Sequence, residues 1–269
     1  MPQRYDDYPR IAIITGADSG IGKACAVALA DAGFDIGITW YGDADGARRT
    51  ADEVRAAGRR CATAELDLTR LPDAAAVVDE LADRLGGLGV LVNNAGTGAS
   101  APFVETSWQQ WRDVLAVDLD GPFLCGQRAA RRMRAAGTGG RIVNITSVHE
   151  HAPRVGSSAY CAAKGGLGLL TRVMAQELAA DGITVNAVAP GEIATPMTGQ
   201  EDVDPLTQAR PGVPVGRPGD AREVAAVVAL LASPAAAYVT GASWPVDGGM
   251  LLMGPQAGSH LSADDWRQG

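Results

Sequence analysis

Short apolar runs rich in β-branched residues recur at positions 11–14, 36–39, 90–92, 142–145 and 183–188. They lack clean alternation of apolar with polar residues, as expected of strands covered on both faces. Between them lie longer stretches with helical spacing at 44–57, 72–85, 122–136 and 158–180, and a further helix begins near Lys23. This β-α-β-α order predicts right-handed crossovers and an α/β fold, a doubly wound parallel sheet with helices on both faces. No linker divides the 269 residues, so a single domain is expected over 1–269. The Pro- and Gly-rich stretch 190–217 is long for a connection and is expected to be a substrate-binding loop. The tail 250–269 has no clear periodicity.

Composition narrows the function. A net charge of −8, with no basic patch, excludes nucleic acid as the expected partner. No apolar run approaches the roughly 18 residues of a membrane span, and the first ten residues are polar rather than a basic region followed by an apolar one, so a cytoplasmic protein with no membrane partner is expected. Cys25, Cys61, Cys125 and Cys161 are scattered, without a C-x-x-C pair, and are expected as reduced thiols.

Two clusters carry chemistry. Thr15-Gly16-Ala17-Asp18-Ser19-Gly20-Ile21-Gly22 follows the first strand and opens a helix. Glycines there allow a tight turn and close approach of backbone N–H groups to a pyrophosphate, which the helix N-terminus also attracts. The spacing is not G-x-G-x-x-G, but its place after the first strand of a doubly wound sheet gives it meaning. In the second cluster, Tyr160 and Lys164 stand four residues apart on one face of a helix. Only two of the 23 basic residues are lysines, so a chance Tyr-x-x-x-Lys is rare, and a compact ammonium does what a guanidinium cannot. Ser147 follows the strand at 142–145, at the carboxyl end where such sheets bind ligands.

With Asn93-Asn94-Ala95-Gly96, and Pro190-Gly191 followed by Thr195, these motifs resemble the classical short-chain dehydrogenase/reductase family over residues 10–250. The resemblance implies a Rossmann-like domain and an enzyme that moves a hydride between NAD(P) and a carbonyl or secondary alcohol. It implies a homotetramer and a small-molecule substrate. Ser147, Tyr160 and Lys164 would form the catalytic set: Tyr160 transfers the proton, Ser147 holds the reacting oxygen, and Lys164 supplies the cation a tyrosine needs to act near neutrality. The cofactor would lie along Gly16, Asp18, Ser19, Gly20, Ile21, Tyr41, Asp67, Leu68, Asn94, Ala95, Gly96, Tyr160, Lys164, Pro190, Gly191, Ile193 and Thr195.

Three places depart from or extend the pattern. Asp118 stands where the family has an Asn that completes a water-linked relay to the Lys, and it is counted here with the catalytic set. Thr39-Trp40-Tyr41-Gly42-Asp43, at the end of the second strand, lacks the Asp that binds a ribose diol, so the cofactor is NADP or NAD with an inclination to NADP. His149-Glu150-His151 follows Ser147; no metal is expected there, because two histidines on a loop make no tetrahedral set. Ser147-Val148-His149-Glu150 and Asp247-Gly248-Gly249-Met250 look like bacterial glucose 1-dehydrogenases, which makes His149 and Glu150 candidate substrate contacts and a sugar or polyol a candidate substrate. A 3-oxoacyl reductase is an alternative, and a non-catalytic dinucleotide sensor is an alternative of another class.

Overall fold

The computed structural model describes residues 7–200 and 203–258. Its elements are β1 (Ile11–Ile14), α1 (Gly20–Asp31), β2 (Asp35–Trp40), α2 (Ala44–Ala56), β3 (Cys61–Glu65), α3 (Val77–Leu85), β4 (Val90–Asn93), α4 (Trp108–Leu115), α5 (Gly121–Ala136), β5 (Gly140–Ile145), α6 (Ser158–Leu178), β6 (Ile183–Pro190), β7 (Ile193–Ala194), β8 (Gly219–Asp220), α7 (Ala221–Leu231) and β9 (Ser243–Val246). Seven strands form a parallel sheet in the order β3-β2-β1-β4-β5-β6-β9, and β7 pairs with β8 separately. The expected doubly wound α/β architecture is therefore present.

Alternate residues of the central strands serve opposite layers. Ile14, Ile36, Ile38, Val90 and Val92 pack with α1, α2 and α7. Ile13, Leu91, Ile142, Ile183 and Val185 pack with α3, α5 and α6. Both faces are thus buried, which is why the strands read as continuous apolar runs. The order reverses between β1 and β4, and the crevice at their carboxyl ends is the natural ligand site of such a sheet.

The structure adds elements that periodicity does not reveal. β3 and β9 are the two edge strands; β3 is partly exposed, and Pro245 lies within β9. An edge strand needs fewer apolar residues and tolerates a proline. α1 opens at Gly20, earlier than Lys23. The helical stretch 72–85 begins as a 3₁₀ turn at Asp73–Ala76, and the loop 190–217 contains β7 and two 3₁₀ turns. Past β9, 3₁₀ turns at Met250–Gly258 break at Gly254; the rest of the 250–269 tail lies outside the described residues.

A buried polar chain ties α6 to the sheet. Asn93 Nδ2 donates to Asn144 Oδ1 (2.9 Å), and Asn144 Nδ2 donates to Thr171 Oγ1 (2.8 Å). The Thr171 hydroxyl donates to Leu167 O (2.8 Å) within the same helix. Buried polar groups hold their place only when paired, so this chain sets where α6 sits against β5. Thr171→Val keeps the shape but strands the Asn144 amide; urea unfolding is expected to show a loss of about 1–3 kcal/mol. An unchanged midpoint would mean that the network does not anchor the helix.

Candidate active site

The glycine turn is fastened to the end of β4. Thr15 Oγ1 accepts the N–H groups of Asn94 and Ala95 (both 2.9 Å), and Asn94 Nδ2 donates to Thr15 O (2.9 Å) and Gly16 O (2.8 Å). Asn94 thus spends its side chain on bracing the turn. Thr39 Oγ1 adds a contact to Gly16 N (3.2 Å). Neither Thr15 nor Thr39 stands out in the sequence as a site residue, because a threonine at a strand end has no distinctive local signature. Gly16 and Gly20 adopt left-handed φ values of +63° and +53°, and a Cβ on Gly22 would collide with the Gly16 carbonyl.

The N-terminus of α1 is left open. Ser19, at the N-cap, makes no side-chain cap; its hydroxyl lies 3.4 Å from Asp18 Oδ2, and the first turn contains no acidic residue. Uncapped N–H groups beside a backbone cradle fit the pyrophosphate of a dinucleotide. Thr195, buried, faces Gly20 across this turn, and Ile193 is buried in β7 just before it. Pro190 ends β6, and Gly191 packs against the Asp247 backbone.

The adenosine end is less uniform. Tyr41 is exposed beside the end of β2. Asp67 is half-buried, and its Oδ1 accepts from the hydroxyl (2.6 Å) and N–H (2.9 Å) of Thr69, which holds its carboxyl below the usual range. The Leu68 side chain is buried against Gly121 of α5, so only its backbone is available to flank an adenine. Burial, and to a lesser degree the charge of Asp43, lift Asp18 above the ordinary aspartate value. Asp43 caps α2 by accepting from Gly46 N (2.8 Å) and pairs with Arg49; Arg48 pairs with Asp45.

Ser147, Tyr160, Lys164 and Asp118 come together at the ends of β5 and α6. Lys164 is buried, and its Nζ donates to Ile145 O (3.1 Å), lies 3.0 Å from Asp118 Oδ1 and sits 5.5 Å from the Tyr160 ring centre. Asp118 is fully buried in a π-helical turn, Ala116–Asp120, that joins α4 to α5; its Oδ2 accepts from Thr97 N (3.1 Å). The widened turn aims its carboxylate inward, as such bulges do at functional sites. Burial pushes the Asp118 carboxyl up, against the opposing charge of Lys164. For Lys164 burial disfavours the charge, yet Asp118 and, after it, Tyr160 outweigh that and hold it above the ordinary lysine value.

Ser147 Oγ accepts the N–H of His149 (3.1 Å), which leaves its own proton free for a substrate oxygen. The His149 ring meets Tyr160 edge-on, with centres 6.2 Å apart, and its Nδ1 is 3.0 Å from Ala152 O. A carbonyl only accepts, so in the neutral ring Nδ1 carries the hydrogen and Nε2 the lone pair. Glu150 does not join His149. Its carboxylate is buried against Gly168 of α6, accepts from Ser243 Oγ (2.5 Å) and pairs with His151 (2.9 Å), so the expected substrate pair is split and Glu150 pins the loop to β9. Among the described residues, no cluster of three metal-ligating side chains occurs, and no helix is long and apolar enough to cross a membrane.

The model of a family described as enoyl-(acyl carrier protein) reductase matches residues 16–251. An uncharacterized oxidoreductase, YohF of Escherichia coli K12, is 53% identical over 247 residues, covering 92% of this chain and 98% of that protein. The crystal structure of acetoin dehydrogenase YohF from Salmonella typhimurium superposes with a TM-score of 0.87 at 51% identity, over 93% of this chain and 98% of that one. A structure from Agrobacterium tumefaciens with bound NADP superposes with a TM-score of 0.81 at 35% identity, over 93% and 99%. The chain belongs to the short-chain dehydrogenase/reductase family. It is an NAD(P)-dependent oxidoreductase that acts on alcohol and carbonyl groups, and the sensor alternative falls away.

Tyr160→Phe removes only the phenolic hydroxyl. Turnover is expected to fall by about 10²- to 10⁴-fold, with dinucleotide affinity near wild type by fluorescence titration. Near-normal turnover of the folded variant would take the acid/base role away from Tyr160.

Proposed function

We propose that the chain interconverts a small vicinal hydroxy ketone, of the acetoin type, with its diol or diketone. The observation that carries this reading is the pairing of two complementary groups beside Tyr160: the Ser147 hydroxyl, free to donate, and the His149 Nε2, free to accept. Ser147 would donate to the reacting oxygen, and His149 would accept from a hydroxyl on the neighbouring carbon. The similarity to proteins described as acetoin dehydrogenases supports the same class.

When bound, the nicotinamide dinucleotide supplies or accepts the hydride. The chain does the rest. The open α1 N-terminus and the Gly16–Gly22 turn hold the pyrophosphate, Lys164 turns its remaining proton to the ribose, and Tyr160 gives its proton to the carbonyl oxygen in reduction or takes it in oxidation. Asp18 and Asp43 oppose a 2′-phosphate, while the strand end lacks a ribose-binding Asp and both nearby arginines are engaged. NAD(H) and NADP(H) are therefore both accepted, within about tenfold in kcat/KM, which narrows the inclination to NADP. Exposed Phe123 of α5 and Leu169 and Val173 of α6 give a lone chain an apolar face that the homotetramer would cover.

Steady-state kinetics with both cofactors test the reading. Acetoin is expected to exceed 2-butanone by about tenfold or more in kcat/KM, and His149→Ala to bring the two within about threefold while sparing 2-butanone. Turnover confined to 3-oxoacyl thioesters or sugars would replace the substrate class.

A further inference from the structure

A lysine that assists a tyrosine does so as a cation. Here that cation has a buried counterion. Asp118 is fully buried, and its Oδ1 lies 3.0 Å from Lys164 Nζ, nearer than the Tyr160 ring centre at 5.5 Å. The geometry allows no other outlet for the carboxylate. Its second oxygen is held by Thr97 N, and a Cβ on Gly96 would press on Oδ1 at 2.8 Å, so the turn closes tightly over it. Lys164 is fixed in turn by Ile145 O on β5. A charge with its opposite 3 Å away acts on a third group as a dipole, whose influence falls faster with distance than that of a lone charge.

We propose that Asp118 is a positioning residue that screens the charge of Lys164 at Tyr160 and so sets the pH at which the enzyme turns from carbonyl reduction to alcohol oxidation. This rests on the oxidoreductase reading above. In the direction of reduction, hydride from the reduced dinucleotide bonds to the carbonyl carbon, and the π pair moves to oxygen. That oxygen takes the Tyr160 proton, the dinucleotide is oxidised, and the phenolate regains a proton from solvent. In the reverse direction the Tyr160 phenolate takes the alcohol proton as hydride leaves the carbinol carbon for the oxidised dinucleotide.

The charged groups around the site come from every element that meets it. Asp118 approaches from the π turn, Tyr160 lies one turn away on α6, and Glu150 and His149 stand on the turn after β5. Glu150 is already paired with His151 and bonded to Ser243, and His149 is bonded to Ala152 O. Asp118 is the carboxylate in direct contact with the ammonium, so a neutral residue in its place restores the unscreened cation.

The experiment is a pH profile of kcat/KM for 2,3-butanediol oxidation and acetoin reduction in wild type, Asp118→Asn and Asp118→Ser. Asp118→Asn keeps an acceptor for Thr97 N, and Asp118→Ser, neutral and smaller, covers a folding failure of the first. The rising limb of oxidation is expected to move to lower pH by about one unit or more in either variant, with dinucleotide affinity within about threefold. A limb within about 0.3 units of wild type in a folded variant, or a shift to higher pH, overturns the proposal and leaves the activity standing. Absence of turnover by wild type with every alcohol and carbonyl tried overturns the functional reading and this proposal together.

Discussion

An ammonium group taken out of water needs partners fixed in place, and burial of Lys164 imposes that demand on four elements at once. α6 carries the lysine, β5 offers the Ile145 carbonyl, the π turn before α5 offers Asp118, and the loop after β4 holds Asp118 through Thr97 N. A buried charge without such partners costs several kcal/mol. The position of Tyr160, one helical turn before Lys164, follows from the same constraint. So does the distance from Tyr160 to Ser147, since Ser147 follows the β5 strand whose end the lysine grips.

The cofactor end depends on a second, cheaper device. Thr15 and Asn94 stitch the end of β1 to the end of β4 where the strand order reverses, so the glycine turn and the Asn94–Gly96 segment form one rigid rim. The ends of β4 and β5 are joined to α6 through the Asn93-Asn144-Thr171 chain, which sets the depth of α6. Rigid elements of this kind hold reacting groups at productive distances without cost at the moment of reaction.

Much of this is legible in the sequence, for reasons that individual residues make plain. β1, β4, β5 and β6 are covered on both faces, and a doubly covered strand is built mainly of apolar residues, with Asn93 and Asn144 buried as a hydrogen-bonded pair. Tyr160 and Lys164 are readable because helical spacing alone places them on one face. β3 and Pro245-containing β9 are not, since an edge strand is constrained on one side only. The partnership of Asn144 with Thr171 spans 27 positions and leaves no local mark. Glu150 could not be told from a substrate contact, because its partner Ser243 lies 93 positions away on a strand the sequence does not announce. The π turn at Asp118 escaped notice because one extra residue in a helical turn barely disturbs periodicity.

The central claim is that Lys164 and Asp118 stabilise the site as a pair. A double-mutant cycle by urea unfolding, with Lys164→Met, Asp118→Asn and the two combined, measures it most directly. Removing Lys164 alone is expected to cost about 3–5 kcal/mol because buried Asp118 loses its counterion, and the combined variant is expected to recover at least about 2 kcal/mol of that. Losses that simply add, to within about 0.5 kcal/mol, would show that the two residues do not depend on each other and would contradict the account.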